Sequence, residues 1–272
     1  MGRFDSEGTI EGAGVRLFYR FWPPAGAARG GFLLVHGLGE HSGRYRHVGE
    51  FLAARGLSVL AYDHRGHGRS QGRRGWVERF ADFLDDLECV HEQFASHLGE
   101  LPLVLFGHSM GGLIVTAYLL ERKRRPQLLV LSGPAIVPLL DPSDRTIDPT
   151  RLSKDPAVWR EYLEDPLVLR ERVTDELFER LAEGLALLPG RAGEIDVPCL
   201  LIHGAADPLC SAEGARAYVE GFGTGDITVR LYPDGRHEML NETNKDEVLA
   251  DLWNWLDQRL PRAREAARLR TS

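Results

Sequence analysis

The chain has 272 residues, 43% of them hydrophobic and 27% charged, the balance of a globular protein long enough to build one large core. Its formal net charge of −7 argues against a nucleic-acid partner. Cys89, Cys199 and Cys210 offer neither a disulfide framework nor zinc-ligand spacing, and no run of about 18 uncharged apolar residues occurs, so a cytoplasmic protein is expected.

The first residues, MGRFDSEGTI, contain no apolar leader; Gly2 and Ser6 fit a myristoylation pattern too loose to predict acylation. From there, short β-rich runs alternate with amphipathic helical patterns. Strands are expected at 14–22, 30–37, 57–63, 101–107, 128–134, 198–204 and 227–233, and helices near 44–55, 80–98, 110–123, 211–221 and 245–260. Most of the strand runs are apolar on both faces, as a parallel sheet covered by helices requires. In the second helix Phe83, Leu84, Leu87, Val90 and Phe94 share one face. This rhythm predicts a mostly parallel, doubly wound α/β sheet flanked by helices. It breaks once, across 135–193, which holds no strand pattern but an amphipathic stretch, TDELFERLAEGLALL. That is too long for a bare loop, so a short helical cap is expected there, inserted into a core formed by 1–134 and 194–272. The last stretch, PRAREAARLRTS, reads as a frayed helix or tail.

Two glycine- or histidine-rich segments invite other chemistry. Gly37, Gly39 and Gly43 follow a strand, as in a dinucleotide-binding turn, but their spacing is G-x-G-x-x-x-G and the helix begins only after Gly43. Asp63, His64 and His67 could suggest a metal, yet no second ligand pair with metal-site spacing accompanies them, and they read as a hydrogen-bonded loop. No metal and no cofactor are expected.

The segment PLVLFGHSMGGLIVTAY is different in kind. Glycines around Ser109 cost about 1 kcal/mol each in a regular element, but a strand, a tight G-x-S-x-G turn and a helix form a nucleophile elbow, in which the neighbours must be small. Such a serine needs a histidine to take its proton and a carboxylate to orient that histidine, in the chain order Ser, Asp, His. His237 is the only histidine after Asp207. Asp207 ends one predicted strand, while Asp226 and Asp234 flank the last one and remain alternatives; strand-end placement favours Asp207. The oxyanion donors expected are the N–H groups of Leu38 and Met110.

HGLGEHSGRY (36–45), DHRGHGRSQG (63–72), GHSMGG (107–112), DPL (165–167), HGAADPLC (203–210) and the HE pair at 237–238 together resemble the monoacylglycerol lipases of the α/β-hydrolase superfamily. The resemblance implies the same Ser109, Asp207 and His237 triad and the Leu38 and Met110 oxyanion hole. It further implies that Glu40, Arg44, His108 and Tyr162 shape the pocket for a glycerol end, and that Cys210 lies at the rim of the site, open to thiol reagents. The stretch AIVPLLDPSDRTIDPTRLSKDP is shorter and more charged than the lipid-touching caps of that family, so at most transient membrane contact is expected. The expected partner is a small lipid ester, cleaved to glycerol and fatty acid; a broad carboxylesterase or lysophospholipase is the alternative, and a non-catalytic ligand-binding protein on the same fold a more distant one.

Overall fold

The computed structural model describes residues 4–138, 148–170, 173–262 and 266. Eight strands form one sheet in the order β1-β2-β4-β3-β5-β6-β7-β8, with β1 Glu7–Glu11, β2 Arg16–Trp22, β3 Gly30–Val35, β4 Leu57–Tyr62, β5 Leu103–His108, β6 Leu128–Ser132, β7 Cys199–Gly204 and β8 Ile227–Tyr232. β1 and β2, and β2 and β4, pair antiparallel; every later pair is parallel. Seven of these strands answer to predicted ones. β1 was not expected, and its sequence explains why: of EGTIE only Ile10 is buried, against the core beneath the hairpin.

Helices cover both faces. Alternate side chains of β3 and β5 point to opposite sides, so Phe32, Leu34, Val104 and Phe106 pack under α1 (Arg46–Ala53) and α7 (Lys245–Asp257). Leu33, Val35, Leu103 and Leu105 pack under α2 (Ala81–Leu98), α3 (Met110–Glu121) and α6 (Ala212–Val219). The five residues predicted to share a face of α2 are all buried in that second layer. Each such side chain contributes about 1.5–3 kcal/mol on burial. This is the doubly wound sheet that the apolar runs require.

Between β6 and β7 the chain carries α4 (Pro156–Glu164) and α5 (Asp175–Leu185) and no strand among its described residues. Asp155 caps α4 by accepting the Ala157 N–H, with Pro156 in the first turn, and Thr174 caps α5 by accepting the Leu177 N–H. α5 lies against α3, with Leu177 in the core and Gly184 against Phe80. Much of the charged stretch from which only transient membrane contact is expected, 139–147, lies outside the described residues, as do Gly2 and nearly all of the C-terminal tail from 263.

Candidate active site

β5 runs into α3 through one residue, Ser109, whose backbone sits at φ 50°, ψ −118°. For a residue with a Cβ this is a strained conformation, worth about 1–3 kcal/mol, and it persists because its surroundings fix it. The Ser109 N–H donates to the Ser132 carbonyl at 3.1 Å, and its own carbonyl accepts from Leu113 and Ala135. The flanking glycines are required by close approach. A Cβ on Gly107 would lie 2.6 Å from the Gly111 carbonyl oxygen, and one on Gly111 would lie 2.6 Å from the His36 carbonyl oxygen and overlap that of Val35.

His237 and Asp207 come from the loops after β8 and β7, the carboxyl ends of adjacent strands. His237 Nδ1 lies 2.8 Å from Asp207 Oδ2, and both residues are buried. Of the three candidate carboxylates it is Asp207 that meets the imidazole; Asp226 is held by the Arg259 guanidinium instead. The other oxygen of Asp207 accepts the N–H groups of Leu209 and Cys210, at 2.8 and 3.1 Å. Burial acts against charge on both partners, but the imidazoles of His237 and His203 hold the Asp207 carboxyl well below the carboxylate range. Conversely, burial lowers the basicity of His237, and the carboxylates of Asp207, Glu238 and Glu40 outweigh it and raise its pKa above 6.5. Ser109 Oγ and the imidazole are not hydrogen-bonded in this arrangement; the ring of His108, beside Ser109, stands 4.9 Å from that of His237. Such contacts commonly close only when substrate is bound.

Ser109, Leu38 and Met110 line a common cavity of about 250 Å³, whose remaining walls are apolar: Leu113, Ala135, Val137 and Pro138, and Phe178, Leu181, Ala182 and Leu185 from one face of α5. The N–H groups of Leu38 and Met110 are not spent on protein acceptors among the described residues.

Glu40, Arg44, His108 and Tyr162 gather beside this site in a buried charged network. Glu40 accepts the Gly37 N–H at 2.6 Å, the Tyr45 hydroxyl at 2.7 Å and Arg44 Nη1 at 3.0 Å. Arg44 grips Glu238 with both arms, at 2.5 and 2.7 Å, and its guanidinium carbon lies 5.1 Å from the Tyr162 ring centre. The two carboxylates diverge for that reason. Burial raises both, but Arg44 pulls Glu238 well below the usual range, whereas Glu40 stays raised by burial and by Glu238. His108 Nδ1 faces the Ser132 carbonyl at 2.9 Å, so Nδ1 carries the hydrogen and Nε2 is left as an acceptor; burial and His237 lower its pKa to about 3. The Tyr162 hydroxyl is buried with no partner among the described residues.

Asp207, Cys210 and His237 bring possible ligand atoms within 4.8 Å of one another, the one such group among the described residues. It does not suit a metal: both Asp207 oxygens are taken by N–H donors, and burial with the nearby Asp207 raises the Cys210 thiol far above its ordinary pKa. The rim position expected for Cys210 is corrected by its 1% exposure; its N–H bond to Asp207 turns the chain inward. At Asp63, one carboxylate oxygen accepts the Ser42 N–H and hydroxyl and the other the Arg69 N–H, while His64 Nε2 meets the His36 carbonyl. These residues brace the loops after β3 and β4. In the glycine-rich turn a short 3-10 helix, Ser42–Tyr45, separates β3 from α1, so no helix N-terminus meets Gly37–Gly39. Two polar residues of the site were given no role from sequence: Glu238, visible only as the E of the HE pair, and His203, visible only as the first residue of HGAADPLC, four residues before Asp207.

The family profile described as serine aminopeptidase, S33, matches residues 26–144 and 136–244. A monoacylglycerol lipase of Mycolicibacterium smegmatis is 34% identical over 270 residues, covering 92% of this chain and 96% of its own. The human monoglyceride lipase is 30% identical over 281 residues, covering 95% and 92%. Among solved structures, a soluble variant of the Saccharomyces cerevisiae monoglyceride lipase in complex with a substrate analogue superposes with a TM-score of 0.82 at 25% identity, over 94% of this chain and 96% of that one.

Proposed function

Since the chain belongs to the serine aminopeptidase S33 family of α/β-hydrolases, among its monoacylglycerol lipases, we propose that it cleaves monoacylglycerols to glycerol and a fatty acid with Ser109, His237 and Asp207 as its triad. The observation that carries this reading is the 2.8 Å His237–Asp207 contact at adjacent strand ends, combined with a strained serine opening on an apolar cavity.

In this reading the acyl chain enters the cavity under α5, which with α4 belongs to a cap spanning 135–193. His237 Nε2 takes the Ser109 proton as Oγ attacks the ester carbonyl, and Asp207 fixes the tautomer and stabilises the imidazolium. The Leu38 and Met110 N–H groups receive the oxyanion, each donor contributing about 3–4 kcal/mol. Collapse returns the proton to the departing glycerol oxygen. Water then attacks the acyl-enzyme by the same route, releasing the fatty acid and restoring Ser109. His108 Nε2 and the Tyr162 hydroxyl are the polar atoms offered to the glycerol end. Glu40 and Arg44, whose own hydrogen bonds are taken up by protein, shape that end by holding its walls.

Among the described residues no helix is long and apolar enough to cross a membrane. Three free cysteines fit the cytoplasmic location we propose, with membrane contact transient and through the cap. A broader carboxylesterase is the second reading, favoured by the charge of the segment before α4, which carries Asp148, Arg151, Lys154 and Asp155.

The test compares initial rates on a medium-chain monoacylglycerol, the matching di- and triacylglycerols, a lysophospholipid and a short-chain ester, for wild type and Ser109→Ala. Preference for the monoacylglycerol, lost in the variant, is expected. Rates that follow ester solubility alone would leave a general esterase, and turnover surviving Ser109→Ala would refute the triad.

A further inference from the structure

Asp207 holds two imidazoles, and the triad accounts for one. His203 Nε2 lies 2.9 Å from Asp207 Oδ2, the oxygen that also meets His237 Nδ1 at 2.8 Å. The same Nε2 is 3.2 Å from the Cys210 carbonyl oxygen. Two acceptors facing Nε2 place the hydrogen there. Nδ1 is then a bare acceptor, and it is buried with no partner among the described residues. Leaving a polar atom unsatisfied in a fully buried side chain is costly. An apolar residue would fill the end of β7 without that cost, so the ring is retained for its Nε2–H.

We infer that His203 is a positioning residue for ester hydrolysis: its Nε2–H pins Asp207 Oδ2 and shares that oxygen with His237, setting the angle and the strength with which the carboxylate holds the base. This rests on the triad reading above. Oδ1 is already fixed by the Leu209 and Cys210 N–H groups, so the carboxylate cannot turn to separate the two rings. An oxygen accepting two N–H donors is a weaker acceptor for each. His203 therefore reduces the pull of Asp207 on the His237 imidazolium and keeps His237 free to accept a proton at lower pH.

The groups facing His237 are Asp207 at Nδ1, the His108 ring at 4.9 Å, the Glu238 and Glu40 carboxylates and the Cys210 thiol. Replacing His203 acts on this set through Asp207, since the hydrogen bonds of His203 go to that carboxylate and to the Cys210 backbone.

The experiment is the pH dependence of kcat and kcat/KM on a soluble nitrophenyl ester for wild type, Ser109→Ala, His203→Phe and His203→Gln, with the low-field proton NMR spectrum of each. His203→Phe should lower kcat about tenfold with KM little changed and move the acid limb up by about half a pH unit. The His237 Nδ1 proton should move further downfield. His203→Gln, whose amide can donate to the same oxygen, should recover most of all three. A folded His203→Phe with an unmoved acid limb and an unmoved low-field proton overturns the inference. Should that variant not fold, 15N spectra of wild type decide: the hydrogen on His203 must reside on Nε2, and finding it on Nδ1 overturns the inference equally. Serine-independent turnover of wild type would instead sink the triad reading.

Discussion

Replacing Arg44 with methionine removes the cation that bonds to both of two buried carboxylates, Glu40 and Glu238. The side chains of Arg44, Glu40 and Glu238 are 9%, 3% and 5% exposed, so water can replace little of what is lost. Glu238 loses a two-armed grip at 2.5 and 2.7 Å and Glu40 one contact at 3.0 Å. Breaking a buried pair from one side costs about 3–5 kcal/mol, a large share of a typical 5–15 kcal/mol stability. A fall in Tm of about 10 °C follows at pH 7.5 for a chain of this size. The deficit should narrow towards pH 5, with a sign that can be worked out. In wild type, Arg44 depresses the Glu238 pKa against the effect of burial. Its stabilisation is therefore present above the unfolded-state value near 4.5 and lost as pH falls below it. In Arg44→Met both carboxylates are raised by burial and by each other, so the variant recovers stability as protons bind at pH values where wild type loses none. Circular-dichroism melts at pH 7.5, 6 and 5 measure this, with Arg44→Lys as an intermediate and Glu40→Gln/Arg44→Met as a partial rescue. A loss under about 1 kcal/mol, or a deficit constant from pH 7.5 to 5, would refute the account.

Because nearby carboxylates raise His237 above 6.5 despite its burial, and the base must be neutral to accept a proton, kcat/KM of wild type should fall on the acid side with a midpoint above pH 6.5; a midpoint below it refutes that balance. Gly111→Ala forces a Cβ into two backbone carbonyls and should cost more than about 3 kcal/mol or prevent folding. Gly225→Ala, with open space around it, should change stability by less than about 0.5 kcal/mol in denaturant titration; equal effects would contradict the packing argument. Cys89 is partly exposed while Cys199 and Cys210 are buried, so a coloured disulfide reagent should titrate at most one thiol in the native protein and three after denaturation. Fast modification of Cys210 in the folded enzyme would show that the site opens further than this structure indicates.

The parallel core was legible because strands buried on both faces must be continuously apolar, as in LVLF and LLVL, and because chain order leaves a single histidine after Asp207. β1 was hidden because a hairpin half exposed to solvent carries one buried side chain, Ile10, and no run. The Arg44–Glu238 grip was invisible for another reason. It joins residues 194 positions apart, and nothing local to HSGRY or to RHEML states that they meet. His203 lay inside a recognised strand, where a buried polar residue looks the same in sequence whether it faces the core or the carboxylate of its own loop. Cys210 was misplaced because nearness in sequence to Asp207 says nothing about which side of the carboxylate a neighbour occupies.

The two halves of the segment between β6 and β7 are attached by different means, and this matters for anyone recombining parts between enzymes. The first half is stapled by polar bonds: Leu169 N–H to the Gly39 carbonyl, His41 to Asp165, the Lys154 N–H to Glu242, and the Leu152 carbonyl to the Glu238 N–H. Its anchor points are the loops that carry Leu38 and His237. Exchanging it for a foreign sequence would therefore disturb the loops that hold the proposed oxyanion donor and base as well as the segment itself. α5 is tied at its start, where the Thr174 N–H and hydroxyl donate to the Gly75 carbonyl, and beyond that it faces the cavity through the apolar Phe178, Leu181, Ala182 and Leu185. If the acyl chain occupies that cavity as proposed, exchanging the apolar face of α5 should reshape its pocket while the supports of Ser109, Asp207 and His237, which come from β5, β7 and β8, stay in place.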